Sequence, residues 1–99
     1  PPTAIFAYSD TQAIGVLEAA RDLGLHVPTD LSVVGYDDIE AAQYVQLTTV
    51  RQSLFDSGVT GARILLDTME HPLFDPQEIL LPTELVIRSS TAEPAWVPS

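Results

Sequence analysis

Apolar and polar positions follow two different periods along this chain, and the points where one gives way to the other predict its elements. Residues 3–8 form a short apolar run rich in strand formers, as expected of a buried parallel strand. Ser9 and Asp10 follow as helix-start residues, and Ser9 with Gln12 has the spacing of a capping box. A helix over about residues 11–23 then stops at Gly24, which suits the position just past a helix end. Residues 26–30 read as a loop punctuated by Pro28, and 31–36 as a second strand. Strand, helix and strand within about 35 residues make a βαβ unit, with a right-handed crossover and a parallel sheet.

In the second half, residues 39–45 read as a short helix or turn and 47–50 as a brief strand. Ser53 caps a second long helix, with Asp56 at the capping-box position. This helix is expected to reach about Met69 and to end at His71-Pro72. A polar loop with Pro76 follows. Residues 79–81 and 84–87 are strand-like, with Pro82 between them, and residues 89–99 form an extended end that Trp96 anchors.

The two helices differ in the width of their apolar faces. In the first, Ala13, Ile14, Val16, Leu17, Ala19, Ala20 and Leu23 cover about 220°, well beyond the ~100° stripe that one buried face needs. The excess suggests a second contact, most simply another subunit. In the second, Leu54, Phe55, Val59, Ala62, Leu65, Leu66 and Met69 cover about 140°, close to a single buried face. That face needs a sheet, and the chain has few strands to spare.

Ninety-nine residues suffice for one small, marginally stable domain. An apolar content of 45% is too high for disorder. Fourteen acids against four arginines, with no lysine, give a net charge of −10, which repels phosphate backbones and anionic membranes. No apolar run approaches the roughly 20 residues of a bilayer span. Cysteine is absent, which rules out disulfides and thiolate metal sites and fits a reducing compartment. No signal peptide is visible, although Pro1 is not a natural start.

Candidate chemistry gathers at the strand ends. Asp37 and Asp38 lie at the carboxyl end of the second strand, where open α/β sheets bind ligands, and a carboxylate there accepts hydrogen bonds from neighbouring hydroxyls. Either aspartate could instead cap the next helical turn. Ser9 and Asp10 follow the other strand of the same unit and should share that rim; Asp10 fits a helix cap better than a ligand contact, and Ser9 fits both. Arg51 and Gln52 follow a strand that enters a helix, where Gln52 could both donate to and accept from a sugar, or simply lie at the surface. Tyr8 and Tyr36 could line an apolar wall or belong to the core. His26 and His71 stand alone, so no metal site is expected, and Gly15 and Gly24 make no phosphate loop. No nucleophile-elbow, Walker or dinucleotide motif is present, so neither catalysis nor a cofactor is expected.

The most specific stretch is Val33-Val34-Gly35-Tyr36-Asp37-Asp38, followed by Leu47-Thr48-Thr49-Val50-Arg51-Gln52. With Pro2-Thr3-Ala4-Ile5-Phe6-Ala7, Ser9-Asp10, Ala13-Ile14-Gly15, Gly24-Leu25, Val27-Pro28, Leu31-Ser32 and Leu81-Pro82-Thr83-Glu84-Leu85-Val86-Ile87-Arg88-Ser89-Ser90-Thr91, it resembles the last third of a LacI/GalR-family effector-binding domain. The resemblance covers almost the whole chain, from Pro2 to about Ala92. It implies an α/β fold, part of a periplasmic-binding-protein-like architecture of two lobes with the effector between them. Residues 1–48 would belong to the C-terminal lobe and 49–78 to a crossover and a helix of the N-terminal lobe. Residues 79–92 would return to the C-terminal lobe, and 93–99 would form a tail.

The same resemblance implies that Asp37 holds effector hydroxyls and that Gln52 and Ser9 touch the ligand, with Tyr8 beside them. Ser9 replaces a frequent asparagine and has less reach. It also implies a homodimer formed partly through the first helix and the loop after residue 38, here Ala13, Ile14, Leu17 and Tyr44. That loop is shorter than usual and lacks the common Pro-Pro-Leu. The function implied is a cytoplasmic repressor that senses a small molecule, most simply a sugar or sugar phosphate, and touches DNA only through an N-terminal domain outside this chain. Two rivals remain. A secreted sugar-binding protein of a transporter shares the fold. A phosphorylatable receiver domain also places paired aspartates after a strand, but it needs a lysine that this chain lacks.

Overall fold

The computed structural model describes residues 2–71 and 78–94. The expectations for Pro72, the Pro76 loop and Trp96 concern residues outside that set. Among the described residues seven elements follow one another: β1 (Ala4–Phe6), α1 (Asp10–Asp22), β2 (Ser32–Val34), α2 (Glu40–Tyr44), β3 (Thr49–Gln52), α3 (Leu54–Glu70) and β4 (Thr83–Val86). The chain divides into two compact units. One comprises Pro1–Arg51 with Glu84–Ser99, and the other Gln52–Thr83.

The larger unit is built around the expected βαβ crossover. β1 and β2 pair in parallel, with Ala4 opposite Ser32 and Phe6 opposite Val34. Alternate backbone N–H groups of the β2 segment point to opposite sides, as a pleated strand requires. Ser32 donates to the Thr3 carbonyl on one side. On the other, Val33, Gly35 and Asp37 donate to the carbonyls of Ser90, Thr48 and Val50, each at 2.9 Å. Parallel bridges between Val34 and Thr48, and between Asp37 and Arg51, carry the pairing on to the β3 segment, and β3 pairs with β4.

Local sequence sets the ends of α1. The Ser9 hydroxyl accepts the Gln12 N–H at 3.2 Å. At the other end Gly24, at φ 76°, turns the chain; Gly24 donates to the Arg21 carbonyl and Leu25 to the Ala20 carbonyl. Those two bonds make a Schellman ending and satisfy carbonyls that the helix leaves open.

The core of this unit comprises Ala7, Ala13, Leu31, Val33, Ala42 and Leu47, with Ile5, Val16, Leu17 and Val27 packed at its margin. Gly35 lies where β2 passes α1. A Cβ there would fall on the Asp10 carboxylate and 2.9 Å from the Leu47 side chain, so only glycine allows this approach.

Four expectations are corrected. The run 3–8 is not buried throughout: Phe6 and Tyr8 are largely exposed, because side chains alternate between faces and it is Ile5 and Ala7 that face the core. Residues 79–81 are not a strand, and pairing begins only at Thr83, after Pro82. Ala13, expected at a dimer surface, is fully buried in the chain's own core. It lies one turn after the α1 cap, on the side that packs on the sheet. Ser53 is the residue before α3, but its side chain does not cap that helix; its hydroxyl donates to the Pro82 carbonyl at 3.3 Å.

The smaller unit is dominated by α3, none of whose residues is buried. Phe55 is 82% exposed, and Leu54, Leu65, Leu66 and Met69 are also open. Its apolar face is thus present, as the periodicity requires, and uncovered. No helix among the described residues is long and apolar enough to cross a membrane.

Candidate functional site

The carboxyl ends of the parallel strands form a rim. Tyr8 and Ser9 follow β1, and Asp37 follows β2. The Asp10 N–H donates to the Tyr36 carbonyl at 2.9 Å, which ties the two strand exits together. Tyr8 is 87% exposed, and Ser9 and Asp37 are half-buried. Gln52, also half-buried, closes β3.

The backbone at the paired aspartates is unusual. Asp37 has φ 115° and Asp38 φ 57°, two consecutive non-glycine residues in left-handed conformation. Such residues are uncommon, and they persist only where surrounding contacts over-determine them. Those contacts are present. The Asp37 N–H donates to Val50 O at 2.9 Å. The Asp38 N–H donates to Thr49 Oγ1 at 3.3 Å, and the Ile39 N–H to Asp10 Oδ2 at 2.8 Å.

Asp10 therefore has a different role from the expected helix cap. Ser9 caps α1, while the Asp10 side chain, fully buried, reaches across to the aspartate turn. Its Oδ1 accepts the Thr49 hydroxyl at 2.6 Å and its Oδ2 the Ile39 N–H. One carboxylate thus joins the start of α1, the start of β3 and the residue before α2. These partners are 39 and 29 residues distant in sequence, too far for a local capping pattern to reveal.

Asp38 is committed to two arginines. Arg51 Nε lies 2.8 Å from its Oδ2 and Arg88 Nη2 lies 2.9 Å from its Oδ1. Arg88 also donates from Nη1 to the Leu47 carbonyl at 2.9 Å, and Arg51 reaches Glu84 at 3.3 Å. Burial pushes the Asp38 carboxyl up, but the hydrogen bonds and charges of Arg51 and Arg88 outweigh it and hold its pKa below the ordinary carboxylate value. A carboxylate with a lowered folded-state pKa stabilises the fold above its unfolded pKa and loses that contribution as pH falls through the folded value. Asp38→Asn should therefore lower the denaturant midpoint at pH 7, and the deficit should shrink as pH drops below about 3.9. A deficit of the same size at pH 7 and pH 2 would contradict this account.

Hydroxyls fix the returning segment. Ser90 Oγ donates to the Val33 carbonyl at 2.6 Å and accepts the Thr48 N–H at 2.8 Å. Thr48 Oγ1 accepts the Arg88 N–H at 2.9 Å and shares a 2.8 Å bond with Thr91 Oγ1. The roles of Thr48, Ser90 and Arg88 were not read from the sequence. One signal was available: with four arginines and no lysine against fourteen acids, each arginine is a scarce partner for a carboxylate.

Ile14 and Leu17 of α1 are half-buried, and Tyr44 of α2 is 75% exposed. Beside them an open depression of about 370 Å³ is lined by Ile14, Leu17, Glu18, Arg21 and Val45. Among the described residues, no group of three or more acidic or histidine side chains could hold a metal ion.

The periplasmic binding protein-like domain family matches residues 1–91. The HTH-type transcriptional repressor CytR of Escherichia coli is 41% identical over 93 residues, a stretch that covers 92% of this chain and 27% of that repressor. A LacI family transcriptional regulator from Enterococcus faecium, solved with bound ribose, superposes with TM-score 0.81 at 37% identity, covering 91% of this chain and 34% of that one. The lac repressor dimer bound to operator and the anti-inducer ONPF superposes with TM-score 0.82 at 38% identity, covering 91% and 32%. The chain thus spans about a quarter to a third of the length of these proteins. With its parallel sheet, its crossover helix and this coverage, the chain belongs to the periplasmic-binding-protein-like domain family, in the LacI/GalR class of effector-binding domains.

Proposed function

We propose that this chain is the effector-sensing part of a LacI/GalR-type transcriptional repressor, and that it binds a small molecule without transforming it. The observation that carries this reading is the rim at the strand ends. Tyr8, Ser9 and Asp37 follow adjacent parallel strands, where open α/β sheets place their ligands. Asp37, half-buried where β2 ends at this rim, is the carboxylate we assign to ligand hydroxyls. Gln52 is the fourth proposed contact.

A sugar suits this set. Tyr8 offers an aromatic face, Asp37 accepts hydroxyl hydrogen bonds, and Ser9 and Gln52 both donate and accept. The Enterococcus faecium relative with ribose supports that class. We assign residues 1–48 and 79–92 to the C-terminal lobe and 49–78 to the crossover and N-terminal lobe, a division the two compact units support to within a few residues. Homodimerisation is assigned to Ile14, Leu17 and Tyr44, beside the open depression. DNA contact falls to a DNA-binding domain outside this segment, whose charge of −10 suits it poorly to phosphates. The working compartment is the cytoplasm.

Effector binding would bias one arrangement of the lobes and so shift the population of DNA-binding states. The test is a calorimetric titration of ribose and other pentoses and hexoses into the full-length protein. Saturable binding at one site per chain is expected for at least one sugar. No binding across the panel would remove the sugar assignment.

A further inference from the structure

We infer that Asp38, gripped by Arg51 and Arg88, is a positioning residue that holds Asp37 in its ligand-accepting conformation. This builds on the assignment of Asp37 to the effector site and adds the device that keeps it there.

Two consecutive left-handed aspartates would relax if nothing opposed them. The backbone hydrogen bond from Asp37 to Val50 fixes one end of the turn, and the bond from Ile39 to Asp10 fixes the other. Between them the Asp38 N–H donates to the Thr49 hydroxyl at 3.3 Å, which is long for a hydrogen bond. The Asp38 side chain makes up for that. Its two oxygens are held from different directions, by the last residue of β3 in the larger unit and by a residue just after β4.

Arg88 is the stiffer of the two partners. Only 13% of its side chain is exposed, and its fork spans Asp38 Oδ1 and the Leu47 carbonyl, both at 2.9 Å. A planar guanidinium held at two points fixes direction as well as distance. Arg51 is half-exposed and shares itself with Glu84, so it contributes less. With Asp38 held on both sides, the peptide linking it to Asp37 cannot rotate freely. The Asp37 carboxylate then meets a ligand without first having to be ordered.

Amide hydrogen exchange of the ligand-free, full-length protein tests this directly. In Asp38→Asn, exchange at the amides of Asp37, position 38 and Ile39 should accelerate about tenfold or more, as expected when hydrogen bonds to a charged group are lost. Amides of β1 and α1 should keep their rates. Arg51→Gln, a change at a half-exposed side chain, should accelerate the same three amides by a smaller factor, and it keeps the test open if Asp38→Asn folds poorly. Unchanged exchange at these amides in Arg51→Gln and Asp38→Asn would overturn the proposal. So would an equal rise across the sheet, since that would mark a general loss of stability. The readout needs no ligand, so a failure of the sugar assignment leaves it standing, and its own failure leaves Asp37 as a ligand residue untouched.

Discussion

Asp37→Ala in the full-length protein is expected to weaken effector binding by about 2–3 kcal/mol, roughly 30- to 150-fold, through loss of charge-assisted hydrogen bonds. The fold should survive, because Asp37 lies at the rim and is absent from the buried core. Alanine also changes the backbone. At φ 115° it has no polar side chain to offset the strained conformation, so part of its effect would come through the turn. Asp37→Asn separates the two contributions. Asparagine tolerates left-handed backbone and keeps one acceptor while removing the charge. A loss with Asn close to that with Ala would assign the effect to the carboxylate's charge. Titration of a sugar found to bind the wild type gives the affinity, and near-ultraviolet circular dichroism checks the fold. An unchanged affinity in both variants would remove Asp37 from the site.

The second large effect concerns stability. Asp10→Ala is expected to cost about 2–4 kcal/mol, because it leaves the buried Thr49 hydroxyl and the Ile39 N–H without their acceptor. Removing a buried carboxylate also relieves its desolvation, which works in the opposite direction. The loss wins because two donors are stranded in a site that closely packed Gly35 and Leu47 keep from solvent. Asp10→Asn retains a carbonyl oxygen for one of the donors and should cost less than Asp10→Ala. Urea denaturation of the full-length variants measures both. A cost below about 1 kcal/mol for Asp10→Ala would mean that water or a rearranged side chain replaces the carboxylate.

The two aspartates just discussed show how differently legible the site was. Asp37 stands out from its position after an apolar strand and a glycine, a pattern visible within one short stretch. Asp10 shows the opposite. Next to Ser9 at a helix start it looks like a local cap, and the chain's own cap is in fact Ser9. The family resemblance singles out Asp37 of the pair, yet Asp38 is the one held by two arginines. Gly35 carried a clue to this arrangement, since a glycine between a strand and an acidic pair implies that something approaches closely, although the sequence does not say what.

By itself, the sequence determined the elements whose causes are local. The Ser9 cap, the Gly24 ending and the strand–helix–strand order follow from side-chain hydrogen bonding, glycine's freedom at positive φ, and hydrophobic period. The apolar face of α3 is equally plain in the sequence, and the structure leaves it open. Only the tertiary structure decided which acids are buried, which are paired, and which apolar residues face inward. Ala13 went to the core, and Phe6 and Tyr8 stayed outside, because burial depends on which face of a helix or strand another element covers. Asp10, Asp38, Thr48 and Ser90 took their roles from partners 13 to 57 residues away. Hydrogen bonds over such separations form only when the chain returns past its own strand ends, and no local pattern encodes that return.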